Sequence, residues 1–153
     1  MTPAPVRVAD AVRVPLPRLS ADTAFFWRSG ADGVMRIQCC AECGRYAHPP
    51  TPECRTCGAL GPGPVPVSGR ATVFSFTVNH QAFSPWLPPP YVLAIVALDE
   101  QPDVHLTTRL VDVVAEDVRI GMRVAVVFER HGEVYLPLFT PAEAPVGEAG
   151  ADG

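Results

Sequence analysis

Residues 39–58 read CCAECGRYAHPPTPECRTCG, and the spacing of their cysteines decides how the first part of the chain folds. Cys40-x2-Cys43 and Cys54-x2-Cys57 form two CxxC knuckles ten residues apart, each followed at once by a glycine, Gly44 or Gly58. Two residues between ligands let a tight turn aim both thiolates at one ion. The glycine then permits the left-handed backbone that brings amide N–H groups toward sulfur. Four thiolates complete a tetrahedron and leave no position for water or substrate, so the expected ion is a structural zinc held by Cys40, Cys43, Cys54 and Cys57. Iron of the rubredoxin kind is the alternative, because thiolates alone do not choose between the two metals. Cys39 is the odd cysteine. C-x3-C is the poorer knuckle, so Cys39 reads as a strand residue.

All five cysteines fall within nineteen residues, which suits metal binding better than a disulfide framework. The chain has 153 residues, 48% of them hydrophobic, enough for one ordinary domain or two very small ones sharing a core. Eighteen prolines and twelve glycines argue against a helical bundle and for a β-rich, loop-rich protein. No run of about 18 apolar residues is present, and the first residues, MTPAPVRVADAVRVPLP, lack the unbroken apolar segment of a secretory signal. The expected location is the cytoplasm, with no membrane contact. Every basic residue except histidine is arginine, and the formal charge is −4. That balance weighs against nucleic acid, which favours a basic excess.

On either side of the cysteines the composition changes. Residues 1–19 are punctuated by proline and read as an extended arm. Ser20-Ala21-Asp22-Thr23 offers an N-cap for a short helix from Ala21 to about Ser29, stopped by Gly30 and Gly33. That helix and the zinc ribbon occupy residues 20–60. Phe25, Phe26 and Trp27 cannot all face one small core: either the helix is sandwiched between this chain's own parts, or one aromatic face is covered by a partner, which makes the three interface candidates. Gly61-Pro62-Gly63-Pro64-Val65-Pro66 reads as a connector, and residues 61–68 as a linker.

From residue 69 to 140 the pattern becomes period two. Phe74, Phe76 and Val78 alternate with Val73, Ser75 and Thr77, and Val124, Val126 and Phe128 alternate with Ala125, Val127 and Glu129. Residues 91–98, YVLAIVAL, are continuously apolar, as in a strand buried on both faces. Val104 to Val111 and Val134 to Phe139 bring the count to about five short strands, which suit a small closed barrel of the OB type. The fold expected is therefore mainly β: an N-terminal helix and zinc ribbon, then a five-stranded OB-type barrel whose sheet, covered by its own alternating residues, needs no partner. Residues 141–153, PAEAPVGEAGADG, read as a disordered acidic tail.

Catalytic chemistry is not evident. His48, His80, His105 and His131 are dispersed, and no phosphate loop, nucleophile elbow or paired-carboxylate motif occurs. Asp99, Glu100 and Asp103 fall in a turn between strands and read as solvated. The loop NHQAFSPWLPPPY, residues 79–91, combines a polar tip at His80 with Phe83, Trp86 and Tyr91 on a proline-stiffened frame. Such a loop can grip a ligand or pack on another protein, or it is a stiff connection whose aromatics cover the open end of the barrel. His80, Phe83 and Tyr91 are the ligand candidates, and Trp86 joins Phe25, Phe26 and Trp27 as an interface candidate.

Together with the knuckles and the HPP between them, the stretches GRATVFSFTVNHQAF, PPPYVLAIVALDE and VRIGMRVAVVFE resemble the DUF35 family of acyl-CoA-associated proteins, over about residues 20–140. Cys39 departs from that pattern, in which a basic residue often precedes the first ligand. The resemblance implies a rubredoxin-like zinc ribbon joined to an OB-fold. It implies a thiolase-like enzyme as partner, in some members an aldolase that shortens steroid side chains. The partner would hold the reactive residues, while this chain supports it and helps enclose the CoA thioester. A nucleic-acid-binding ribbon and OB-fold, or an iron-binding electron carrier, are the competing expectations.

Overall fold

A computed structural model describes residues 2–9 and 14–143; the acidic tail from residue 144 onward lies outside the described residues. The period-two segments form the strands β5 (Arg70–Asn79), β6 (Tyr91–Leu98), β7 (His105–Leu110), β8 (Arg123–His131) and β9 (Val134–Pro141), preceded by β1 (Val6–Val8), α1 (Ala24–Trp27), β2 (Arg36–Cys39), β3 (Tyr46–Ala47) and β4 (Gly63–Pro66). Neighbours run β5-β6-β7-β9, and β8 closes the circle by pairing with both β9 and β5. This is the expected five-stranded barrel. Its interior is filled by Val73, Val92, Val96, Leu106, Val124 and Val126 around Phe128 and Phe139, the last two without exposed surface.

The barrel departs from the simple alternation in one place. Val73 pairs with Val96 and Ser75 with Ile95, so Phe74 is an extra residue, a β-bulge. A bulge shifts the parity of the strand. Ala71 and Val73 face inward before it and Phe76 and Val78 pack on the core after it, while Phe74 is turned out and 55% exposed. β6 also differs from expectation. Val92, Ala94, Val96 and Leu98 are buried, but Leu93 remains 38% exposed. A small barrel has a single interior, and among the described residues no helix covers the outside of β6, so its second apolar face is left partly exposed. The sheet is therefore not fully covered by its own residues.

The helix is shorter than its composition suggests. Ser20 and Thr23 spend their hydroxyls on each other, 2.8 Å apart, and each hydroxyl also accepts from the other residue's backbone N–H. This closes a turn that keeps residues 20–23 outside the helix. At the other end Ser29 donates to the carbonyl of Phe25 and accepts from the amide of Arg36, which ties the end of α1 to β2.

The segments read as a connector and as an extended arm both contain strands. Gly63–Pro66, expected as connector, lies antiparallel to β2, with Ile37 opposite Val65 and Gln38 opposite Pro64. It sits at the edge of the β3-β2-β4 sheet, where proline's missing donor can face outward. Val6–Val8 of the arm runs parallel to β8, led in by Phe128 donating to the carbonyl of Pro5.

Gly69 makes the entry to the barrel. Its φ is +73°, and a Cβ there would lie 2.4 Å from Val126 Cγ1. Gly69→Ala should cost roughly 1–3 kcal/mol from overpacking alone. A denaturant midpoint unchanged from the parent would contradict this reading of the turn.

Candidate functional site

The two knuckles are built alike. In the first, Gly44 donates to the carbonyl of Cys40 at 2.9 Å and Cys40 donates to that of Arg45 at 2.9 Å; in the second, Gly58 donates to Cys54 and Cys54 to Ala59, both at 2.8 Å. Gly44 and Gly58 take φ of 72° and 76°, the left-handed turn their position requires. The first cysteine of each knuckle, Cys40 or Cys54, is buried, while Cys43 and Cys57 lie at the surface. Their four sulfurs converge within 4.8 Å, with Cys40 to Cys57 and Cys43 to Cys54 both 3.6 Å apart. Zinc–sulfur bonds of about 2.3 Å imply tetrahedral edges of about 3.8 Å. The four cysteines are thus positioned to hold a metal ion.

The surrounding backbone favours thiolates. Amide N–H groups of Cys57 and Thr56 bring the Cys54 thiol down to about 6. At Cys43 the amide of Arg45 pulls downward too, but desolvation and the neighbouring thiols outweigh it and push the group up to about 12. Four thiols this close resist losing every proton unless a cation is present, so a metal bound here would release protons. Cys39 lies outside the cluster. Half-buried on β2, its sulfur approaches only the carbonyl of Cys40 at 3.8 Å, and burial raises its pKa.

Two glutamines with no spacing signal hold the ribbon together. Gln38 is 6% exposed; its Nε2 donates to Thr51 O at 2.7 Å and its Oε1 accepts from Thr51 N at 2.8 Å. Gln101, in the β6–β7 turn, treats Tyr46 in the same way, at 2.9 and 3.0 Å. Each amide substitutes for a strand neighbour. Beside Gln101, Arg45 donates to Asp103 at 2.5 Å. The turn read as solvated therefore fastens the ribbon to the barrel. Its other acids are paired as well, Asp99 with Arg123 and Glu100 with the amide of Ser68.

The aromatic candidates separate. Phe26 is 5% exposed, its ring 4.6 Å from that of His48 and 4.8 Å from that of Trp27, so it belongs to the chain's own core. Phe25 and Trp27 are half-buried against that core. Phe83 and Trp86 remain 75% and 43% exposed.

The ligand candidates do not converge on one cavity. Tyr91 borders one of about 370 Å³ with Leu87, Pro90 and Val113. Trp86 borders another of about 320 Å³ with Leu93 and Leu136, where Glu129 accepts from Arg109 at 3.3 Å and meets His131 Nε2 at 2.7 Å. Neither His80 nor Phe83 lines these two. No described helix is long and apolar enough to cross a membrane.

Residues 64–129 match the family described as "ChsH2, C-terminal OB-fold domain". A probable enoyl-CoA hydratase alpha subunit of Thermomonospora curvata is 36% identical over 84% of this chain and 40% of its own length. The 3-oxo-4,17-pregnadiene-20-carboxyl-CoA hydratase alpha subunit of Mycobacterium tuberculosis is 42% identical over 55% of this chain and 27% of its own. The chain thus spans two fifths or less of these curated relatives. Among solved structures, a chain of the "Ltp2-ChsH2(DUF35) aldolase" superposes with a TM-score of 0.76 at 34% identity, over 84% of this chain and 100% of that one. With two cysteine knuckles on a small ribbon, an OB barrel behind them and this match along the whole of a DUF35 chain, the protein belongs to the DUF35 family.

Proposed function

We propose that this chain is the non-catalytic subunit of an acyl-CoA enzyme that forms or breaks carbon–carbon bonds, with a thiolase-like partner holding the reactive residues. The observation that carries this reading is the 34% identity to a DUF35 chain of an aldolase, over that chain's full length. Aldol cleavage of a steroid side-chain CoA thioester is the reaction we favour, and this chain helps enclose the CoA. Partnership with a hydratase is the second reading, because two relatives are named hydratase alpha subunits. Zinc fits the four-thiolate set, and its role is to fold a ribbon too small to fold unaided. The ribbon and barrel act as one support, since Gln101 and Asp103 join them.

Two measurements test the proposal. Elemental analysis of purified protein should find about one zinc per chain, as a closed four-ligand site requires; iron with the colour of a rubredoxin would favour the electron-carrier reading instead. The zinc-loaded chain should show no thiolase, lyase or hydrolase turnover on acyl-CoA substrates, because no nucleophile and base are set together by any sequence motif. Sustained turnover by the chain alone would overturn the accessory role.

A further inference from the structure

On the outer face of the barrel, opposite Leu93, Arg109 of β7 donates to Glu129 of β8 at 3.3 Å, and the other oxygen of Glu129 meets His131 Nε2 at 2.7 Å. A ring nitrogen that faces a carboxylate carries its proton. With His131 in the neutral form the three groups therefore sum to no net charge. Both oxygens of Glu129 are engaged, whereas Arg109 uses a single N–H group. Its other donors find no acceptor among the described residues.

These three side chains line the cavity of about 320 Å³, whose other walls are apolar: Leu93, Leu136 and Leu138 from the sheet, Trp86 and Leu87 from the 79–91 loop, and Val14 from the arm. Arg109 and Leu87 also border the neighbouring cavity of about 370 Å³, so the guanidinium stands where the two meet. Trp86 and Leu93 are left 43% and 38% exposed around it. A concave apolar surface with a few convergent polar groups is the usual make-up of a small-molecule site.

We propose that this cavity binds an uncharged, ring-bearing carbonyl compound, its oxygen accepting from Arg109 and its rings lying against Trp86 and the leucines. The spare donors of Arg109 call for an acceptor, because covering them without one forfeits their hydration. A carboxylate is the wrong acceptor: Glu129 already balances the guanidinium, and a second anion beside it would be repelled. The indole of Trp86 offers a flat face on which a ring stacks. Identifying this ligand with the acyl group of a partner's substrate would rest on the accessory-subunit reading; the site itself does not.

The test uses the full-length, metal-loaded chain at about pH 8, where an ordinary histidine is neutral, and three probes of similar shape: acetonaphthone, naphthoate and ethylnaphthalene. Equilibrium dialysis should show the ketone saturating near one per chain and held at least about tenfold more tightly than naphthoate, with amide resonances shifting at Leu93, Arg109 and Leu136. Arg109→Met should weaken the ketone about tenfold, the effect of one charge-assisted hydrogen bond, and leave ethylnaphthalene unchanged. Leu93→Trp, on the half-exposed outer face, fills the cavity and should abolish uptake. No saturable uptake of the ketone, or naphthoate held as tightly, overturns the assignment. So does Arg109→Met weakening ketone and hydrocarbon alike, the result a merely structural ion pair gives, and so does uptake retained in Leu93→Trp. Metal content and thermal unfolding accompany each variant; if one unfolds, the ratio of ketone to naphthoate in the parent chain decides. None of these readouts needs a partner, so failure of the accessory-subunit reading leaves them unchanged.

Discussion

Replacing Cys57 with serine should remove the metal and with it the ribbon. Structural zinc in a four-ligand site contributes an apparent binding free energy on the order of 10–16 kcal/mol near neutral pH, and a metal held by these four cysteines would have no spare ligand among them. Cys57 lies at the surface, so the change opens no cavity that would confuse the result. Its sulfur is 3.6 Å from that of Cys40, which would face an incomplete tetrahedron. The expected result is a fall from about one zinc per chain to nearly none, with loss of soluble protein. Cys39→Ser is the control. Outside the cluster, Cys39 can be replaced with the metal retained. Full occupancy in the Cys57 variant, or loss of metal in the Cys39 variant, would reassign the ligand set.

The second large effect is expected at Phe26. Truncation to alanine should destabilise the isolated chain by about 3–5 kcal/mol, the usual cost of removing a buried aromatic ring. Phe26 has only 5% of its surface exposed and touches His48 of the ribbon, so its loss loosens helix and ribbon together. Trp86→Ala makes the contrast. Because Trp86 is 43% exposed, its removal should change unfolding by less than about 0.5 kcal/mol, yet weaken binding of the aldolase chain about 30-fold if it is an anchor. Equal destabilisation by the two changes would refute this division. So would a Trp86 variant that binds as the parent does.

The four-cysteine cluster could be read in advance because its information is local: four cysteines within eighteen residues, with the glycine each knuckle needs. The barrel strands were legible for a related reason, since the period-two pattern survives wherever one face is buried. What escaped depends on distant partners. Gln38 and Gln101 look like any polar residue until Thr51 and Tyr46 arrive beside them. The prolines of β4 hide a strand, because nothing in Gly63–Pro66 says that it will lie at an edge. Three adjacent aromatics at residues 25–27 cannot indicate which one turns inward. The bulge at Phe74 is equally silent, yet it sets the parity of β5 and exposes the ring.

Titration against an enzyme subunit distinguishes an accessory subunit from an independent protein. The metal-loaded chain is added to a fixed amount of an Ltp2-like aldolase chain, the proposed partner, and cleavage of an acyl-CoA substrate is followed at each ratio. An accessory subunit should give no turnover alone and activity that rises and then saturates at a fixed stoichiometry, as a complex forms. Turnover by the aldolase chain that is unchanged at every ratio, with no complex detected, would contradict that role.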